Sequence, residues 1–200
     1  MNRAERALRG IAEDLDEIGA APWTLVGGLA VSARSEPRFT RDVDVAVAVE
    51  SDREAERLSF LLAQRGYRIL ASVEQEAQQR LATIRLACPG SGPRGVVLDL
   101  LFASSGIEQE VVSQADSLEL LPGLVVPVAT RAHLLALKVL AHDEDRPQDA
   151  ADIRSLLERC GEEELEQARL ALELVERRGF HRGKDLQGDF ARAVARRTRR

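Results

Sequence analysis

The sequence predicts an α/β protein of the α+β kind: a mixed sheet flanked by helices, followed by a C-terminal helical part. Two features of the pattern predict it. Up to about residue 130, short apolar runs alternate with amphipathic stretches and turn signals. From Ala132 onward the apolar residues recur at helical spacing only. Composition agrees, because 44% hydrophobic residues with only 4% aromatics require a core of Leu, Val, Ile and Ala. A length of 200 residues suits one domain with a helical extension. The expected division is 1–130 and 131–200, the two parts packed together.

Residues 3–19 form the first expected helix, since Ala4, Leu8, Ile11, Leu15 and Ile18 share one face. Trp23 to Val26 is a short strand that ends at Gly27-Gly28, and Leu29 to Ser35 is a short helix starting there. Arg38 to Glu50 is the second strand. Ser51-Asp52 supplies an N-cap for a helix from Arg53 to Arg65, which Gly66 ends. Tyr67 to Ser72, Leu81 to Ala87 and Val96 to Ala103 are further strands, with a Pro/Gly/Ser turn at residues 89–93. Residues 107–115 are a short helix and Leu124 to Val128 a short extended segment. Helices are expected at 132–142, 148–160, 162–178 and 185–198, with Pro147 suited to a first turn.

Several classes are disfavoured. The charged, amphipathic segment from Met1 to Gly19 does not read as a secretion signal. No apolar run approaches the roughly 20 residues needed to cross a bilayer, so no membrane partner is expected. Cys88 and Cys160 are too isolated for a disulfide framework or a zinc site, and a reducing cytoplasm is the expected location. The net charge of −5 hides an asymmetry. Residues 177–200 carry nine Lys/Arg against two Asp, leaving the rest of the chain strongly acidic. Such a tail either contacts nucleic acid or is a solvated, Arg-rich helix face.

Chemistry concentrates in residues 26–49. Asp42 and Asp44 open an apolar strand and, two apart, share a face. Buried carboxylates need compensation, and a divalent cation supplies it. Asp99 is a third: it is the only charge in the apolar strand Val96 to Ala103. If the strands are neighbours, three carboxylates converge on what would suit Mg²⁺; the alternative is that Asp99 forms a buried ion pair with an Arg. Two such ions clamp an in-line displacement at phosphorus. Gly27-Gly28 is either a tight turn or a phosphate cradle at a helix N-terminus. Lys138 is one of only two lysines among 28 basic residues and lies on an apolar helix. It is a point contact for a polyphosphate, or it pairs with Asp149 or Asp152, which share a helix face. Arg38 and Thr40, just before the acidic pair, are placed to touch phosphate or order the loop.

The order Gly-Gly, thirteen residues, Asp-x-Asp, then a lone Asp on an apolar strand resembles the polymerase-β-like nucleotidyltransferases. The later segments Val126-Pro127-Val128, Leu134 to Lys138, and Arg146 to Ile153 resemble the AbiEii/MenT-like toxin branch. The resemblance spans roughly residues 22–157. It implies a mixed nucleotidyltransferase sheet closed by C-terminal helices, and transfer of a nucleoside monophosphate from an NTP with release of pyrophosphate. It implies Asp42, Asp44 and Asp99 as ligands for Mg²⁺, two ions in all. It places Gly27 and Gly28 on phosphates and Lys138 on the triphosphate, with Asp149 or Asp152 in support. In characterised MenT-like toxins the acceptor is the 3′ end of tRNA, so the resemblance implies an RNA acceptor and a cognate antitoxin as expected partners. Gly28 stands where many members carry Ser. A nucleotidyltransferase that modifies an antibiotic, and a nucleotide-binding protein without catalysis, are the alternatives.

Overall fold

The computed structural model describes residues 3–40, 42–75, 79–90, 95–143 and 145–198. The expected turn at 89–93 and the end of the basic tail fall partly outside them. The first elements are α1 (Arg3–Glu17), β1 (Trp23–Val26), α2 (Gly27–Arg34), β2 (Asp42–Val47), α3 (Asp52–Gln64), β3 (Arg68–Gln75) and β4 (Arg80–Ala87). They are followed by β5 (Val97–Leu101), α4 (Glu108–Ser113), β6 (Asp116–Leu121) and β7 (Leu124–Val128). The remainder is helical: α5 (Arg131–Ala141), α6 (Pro147–Arg159), α7 (Glu162–Arg177) and α8 (Leu186–Thr198).

The strands form one mixed sheet in the order β3-β4-β5-β2-β1-β7-β6. The β2/β5 and β1/β7 pairs are parallel and the rest are antiparallel. The three central strands are the most apolar, as expected of strands covered on both faces. Val43, Val45 and Val47 are fully buried on β2, as are Leu98 and Leu100 on β5. Helices α1, α2 and α4 pack on β2, while α5 packs against α2, α6, α7 and α8.

Local chemistry sets the element ends. Ser51 Oγ accepts from Glu54 N–H to start α3, and Thr130 Oγ1 accepts from His133 N–H to start α5. Pro147 opens α6. The structure differs from expectation in two places. The second strand begins at Asp42 rather than Arg38, because the Arg38 N–H is drawn to Ser32 Oγ and its side chain to α6. Strand β6 was not expected from Asp-Ser-Leu-Glu-Leu-Leu; it pairs with β7 through a turn at Pro122-Gly123, a dipeptide that marks turns. Among the described residues, no helix is long and apolar enough to cross a membrane.

Behind β5 the chain turns at Ser104-Ser105, held by one buried carboxylate. Glu108 Oε1 accepts from both backbone N–H groups, at 2.8 and 2.7 Å, and from both hydroxyls, at 3.0 and 2.8 Å. Removing it leaves four donors without that acceptor in a buried turn. Glu108→Ala is expected to lower the unfolding free energy by about 2–4 kcal/mol, read from urea denaturation.

Candidate active site

The site is built where β1, β2, β4 and β5 meet α2, α5 and α6. β1 ends at Gly27, whose φ of +63° puts it in the left-handed region that glycine enters without strain. A Cβ at Gly27 would collide with Asp44 Oδ2, so the carboxylate of Asp44 lies directly over this glycine. The Gly28 N–H favours the charged form of the same carboxylate. The glycine turn therefore cradles an anion, and in this form the anion is the chain's own Asp44. A Cβ at Gly28 would meet Arg38 Nη2 at 2.9 Å and Thr40 Oγ1 at 3.0 Å. The turn thus has Asp44 on one side and the Arg38–Thr40 segment on the other.

Parallel pairing of β2 with β5 puts Asp44 directly opposite Asp99, and Asp42 opposite Val97. Asp42 and Asp44 are two residues apart on one strand face, so the three expected carboxylates are neighbours in the sheet. Asp44 has its pKa raised to about 6. Burial is the largest cause, followed by the charge of Asp99; Lys138 opposes the shift and Asp42 adds to it. Asp99 is not bare: Arg85 on β4, its register partner, holds both of its oxygens, Nε at 2.8 Å and Nη2 at 2.7 Å. Among the described residues, no three His, Cys, Asp or Glu side chains are gathered to hold a metal ion as they stand. The anionic oxygen donors of Asp42, Asp44 and Asp99 suit a hard divalent cation in kind.

Lys138 on α5 reaches two carboxylates of α6, Asp149 at 2.7 Å and Asp152 at 2.8 Å. Arg38 holds Asp152 with two prongs, Nε at 2.6 Å and Nη2 at 2.7 Å. Gln148 Nε2 adds a 3.3 Å bond to Asp152. Burial opposes the Lys138 charge, but its bonds to Asp149 and Asp152 outweigh burial and hold its pKa above the ordinary value. Burial likewise opposes ionisation of Asp152, yet Arg38 and Lys138 keep its pKa below the usual range. The expected site residues Arg38, Lys138, Asp149 and Asp152 are thus one network of two cations and two anions.

A cleft of about 280 Å³ opens between these parts. Gly27, Asp44 and Asp99 line its sheet side, and Lys138 and Asp149 its helix side. Two further lining residues, Arg146 and Arg182, were not among the expected site residues. Arg182 sits in the turn after α7 at φ +56° and donates to the Ser104 carbonyl at 2.8 Å. Burial, then the like charge of Arg146, depresses its pKa, with Glu108 opposing. Nothing in the local sequence singles Arg182 out, whereas Arg85 was detectable as the charge inside the strand Leu81–Ala87. Asp44 and Asp99 on one wall, with Lys138, Arg146 and Arg182 outnumbering Asp149 on the other, suit a ligand that is itself a cation–polyphosphate complex.

Two outcomes follow from Asp44. A carboxyl whose folded-state pKa is raised from 3.8 to about 6 costs stability as pH climbs through that interval. Asp44→Asn is expected to raise the metal-free melting temperature at pH 7, by the equivalent of about 2–3 kcal/mol, and to change it little at pH 4. Gly27→Ala, measured by nucleotide transfer and by thermal melting, is expected to cost at least about 100-fold in rate and about 1–2 kcal/mol in stability.

The geometry is matched by kinship. The family described as "Nucleotidyl transferase AbiEii toxin, Type IV TA system" matches residues 11–199, a wider span than the expected 22–157. No curated protein matches. An antigenic nucleotidyltransferase-like protein from Paracoccidioides brasiliensis superposes with a TM-score of 0.51 at 21% identity, covering 96% of this chain and 92% of that one. The antibiotic-resistance factor ANT(2″)-Ia superposes with a TM-score of 0.51 at 19% identity, covering 99% of this chain and 97% of that one. Those likenesses show the fold, and the family match covers nearly the whole chain. The chain belongs to the AbiEii nucleotidyltransferase toxin family and is a nucleotidyltransferase.

Proposed function

We propose that this enzyme is the toxin of a toxin–antitoxin pair and transfers a nucleoside monophosphate from an NTP to the 3′ end of tRNA. The observation that carries the reading is Asp44: a desolvated carboxylate over a glycine turn, facing Asp99 across two parallel strands in a cleft with cationic helices opposite. Asp42, Asp44 and Asp99 are the residues that would hold divalent cations, Mg²⁺ in the cell. When bound, two such ions would activate an acceptor hydroxyl and neutralise the leaving pyrophosphate.

The chain's own groups supply the rest. The N–H groups of the Gly27-Gly28 turn, at the N-terminus of α2, would orient phosphate. Lys138 lies along the cleft as the triphosphate contact, steadied by Asp149 and Asp152. Arg38 and Thr40 border the same turn and fix the loop ahead of Asp42. Residues 1–130 carry the catalytic sheet, and 131–200 close the cleft from the helix side. The exposed Arg196 and Arg197 at the end of α8 are suited to an RNA backbone. An antitoxin partner and a cytoplasmic setting belong to the same reading.

A second reading has one observation in its favour. A cavity of about 920 Å³ adjoins Arg38 and Thr40, is lined largely by apolar side chains of α1, α2 and β6, and carries Glu5 and Glu119. That lining suits a cationic small molecule such as an aminoglycoside, and the fold is shared with ANT(2″)-Ia.

Incubation with Mg²⁺, each labelled NTP and total tRNA distinguishes the two. Label on tRNA that disappears in Asp44→Ala is the expected result. Label on an aminoglycoside panel with none on tRNA would replace the first reading by the second. Absence of transfer to tRNA, protein and drug panels alike would sink both.

A further inference from the structure

We propose that Arg85 is a built-in counter-ion that occupies the ligand oxygens of Asp99 until a divalent cation displaces it. This rests on reading Asp99 as a cation ligand. Four observations support it. Arg85 and Asp99 are register partners on antiparallel strands, so β-sheet pairing itself presents the guanidinium to the carboxylate. The contact is two-pronged and takes both Asp99 oxygens, leaving neither without a charged donor. The partners differ in freedom. Asp99 is only 7% exposed and fixed in a central strand, whereas the Arg85 side chain is 51% exposed and free to swing toward solvent. The bonded Asp99 and the nearby charges of Asp42 and Asp44 all act on the same guanidinium, which therefore stands in the field of all three carboxylates.

Two other cations of the site do not share this position. Arg38 and Lys138 are committed to Asp149 and Asp152 on α6. Arg85 thus solves a problem the catalytic arrangement creates. Carboxylates placed to hold cations repel one another when none is bound, and Asp99 is buried. A monovalent, tethered cation relieves that repulsion, and its exposure keeps the exchange reversible. The consequence is competition: a divalent ion entering the site must displace an intramolecular ion pair from Asp99. Metal affinity is therefore set partly by Arg85, a residue that no ligand list drawn from carboxylates alone would include.

The test is Mn²⁺ binding to the metal-free enzyme without nucleotide, followed by titration calorimetry and electron paramagnetic resonance. Arg85→Gln is expected to tighten Mn²⁺ binding by at least about tenfold. Arg85→Lys, which keeps the charge but loses the two-pronged bond, is expected to fall between it and the wild type. In the same Arg85→Gln protein the metal-free melting temperature is expected to drop and Mn²⁺ to restore it. Asp99→Asn serves as the control that abolishes the site. Mn²⁺ affinity that is unchanged or weaker in both Arg85 variants, with Asp99→Asn still abolishing binding, overturns the role of Arg85 and leaves the metal reading standing. Binding indifferent to Asp99→Asn overturns the metal reading, and the role of Arg85 with it.

Discussion

Carboxylate repulsion across β2 and β5 is the constraint to which the rest of the site responds. Parallel register fixes Asp44 opposite Asp99 at backbone distance, so neither can retreat without breaking the sheet. Each is answered by a different device. The glycine turn presents an N–H and open space to Asp44, and an arginine from the next strand presents a fork to Asp99. Lys138 contributes at longer range by lowering the cost of the Asp44 charge. Apart from Thr24 the central strands are otherwise apolar, which makes these compensations necessary.

Much of this was legible in the residues. The spacing of Asp42 and Asp44 states that they share a face, and a lone Asp in Val-Val-Leu-Asp-Leu-Leu states that it is buried. The helical periods after Ala132 are unambiguous because nothing in them competes with the 3.6-residue repeat. Other parts were hidden for physical reasons. Strand order is a long-range property, so that Arg85 faces Asp99 cannot be read from either strand alone. Asp-Ser-Leu-Glu-Leu-Leu forms β6 because β7 offers it an edge, not because its composition favours a strand. Arg182 reaches the cleft through the fold of the C-terminal helices, and no local pattern announces it. For Lys138 and for Asp99 the sequence left a functional and a structural role open, and the geometry shows structural partners for both.

The dual pairing at Lys138 and Asp99 also clarifies how this kind of site remains folded before its ligands arrive. A site specialised for highly charged substrates must hold unlike charges ready without letting them collapse permanently onto each other. Deep burial of Asp152 favours a fixed brace, while the half-exposed Arg85 favours exchange. Exposure of the cationic partner, rather than the bond length, separates the two, since the bonds themselves are equally short.

The brace between Arg38 and Asp152 joins residues 114 positions apart, one beside the first glycine turn and one in the helical region. Its inheritance is therefore indivisible. A gene fragment encoding the sheet alone would carry a loop arginine without its counter-charge, and one encoding the helices alone would carry two buried acids with a single lysine between them. Neither half is a module that recombination could trade freely. A chain given a different helical region would leave Arg38 without its counter-charge unless an acid stood in the same place.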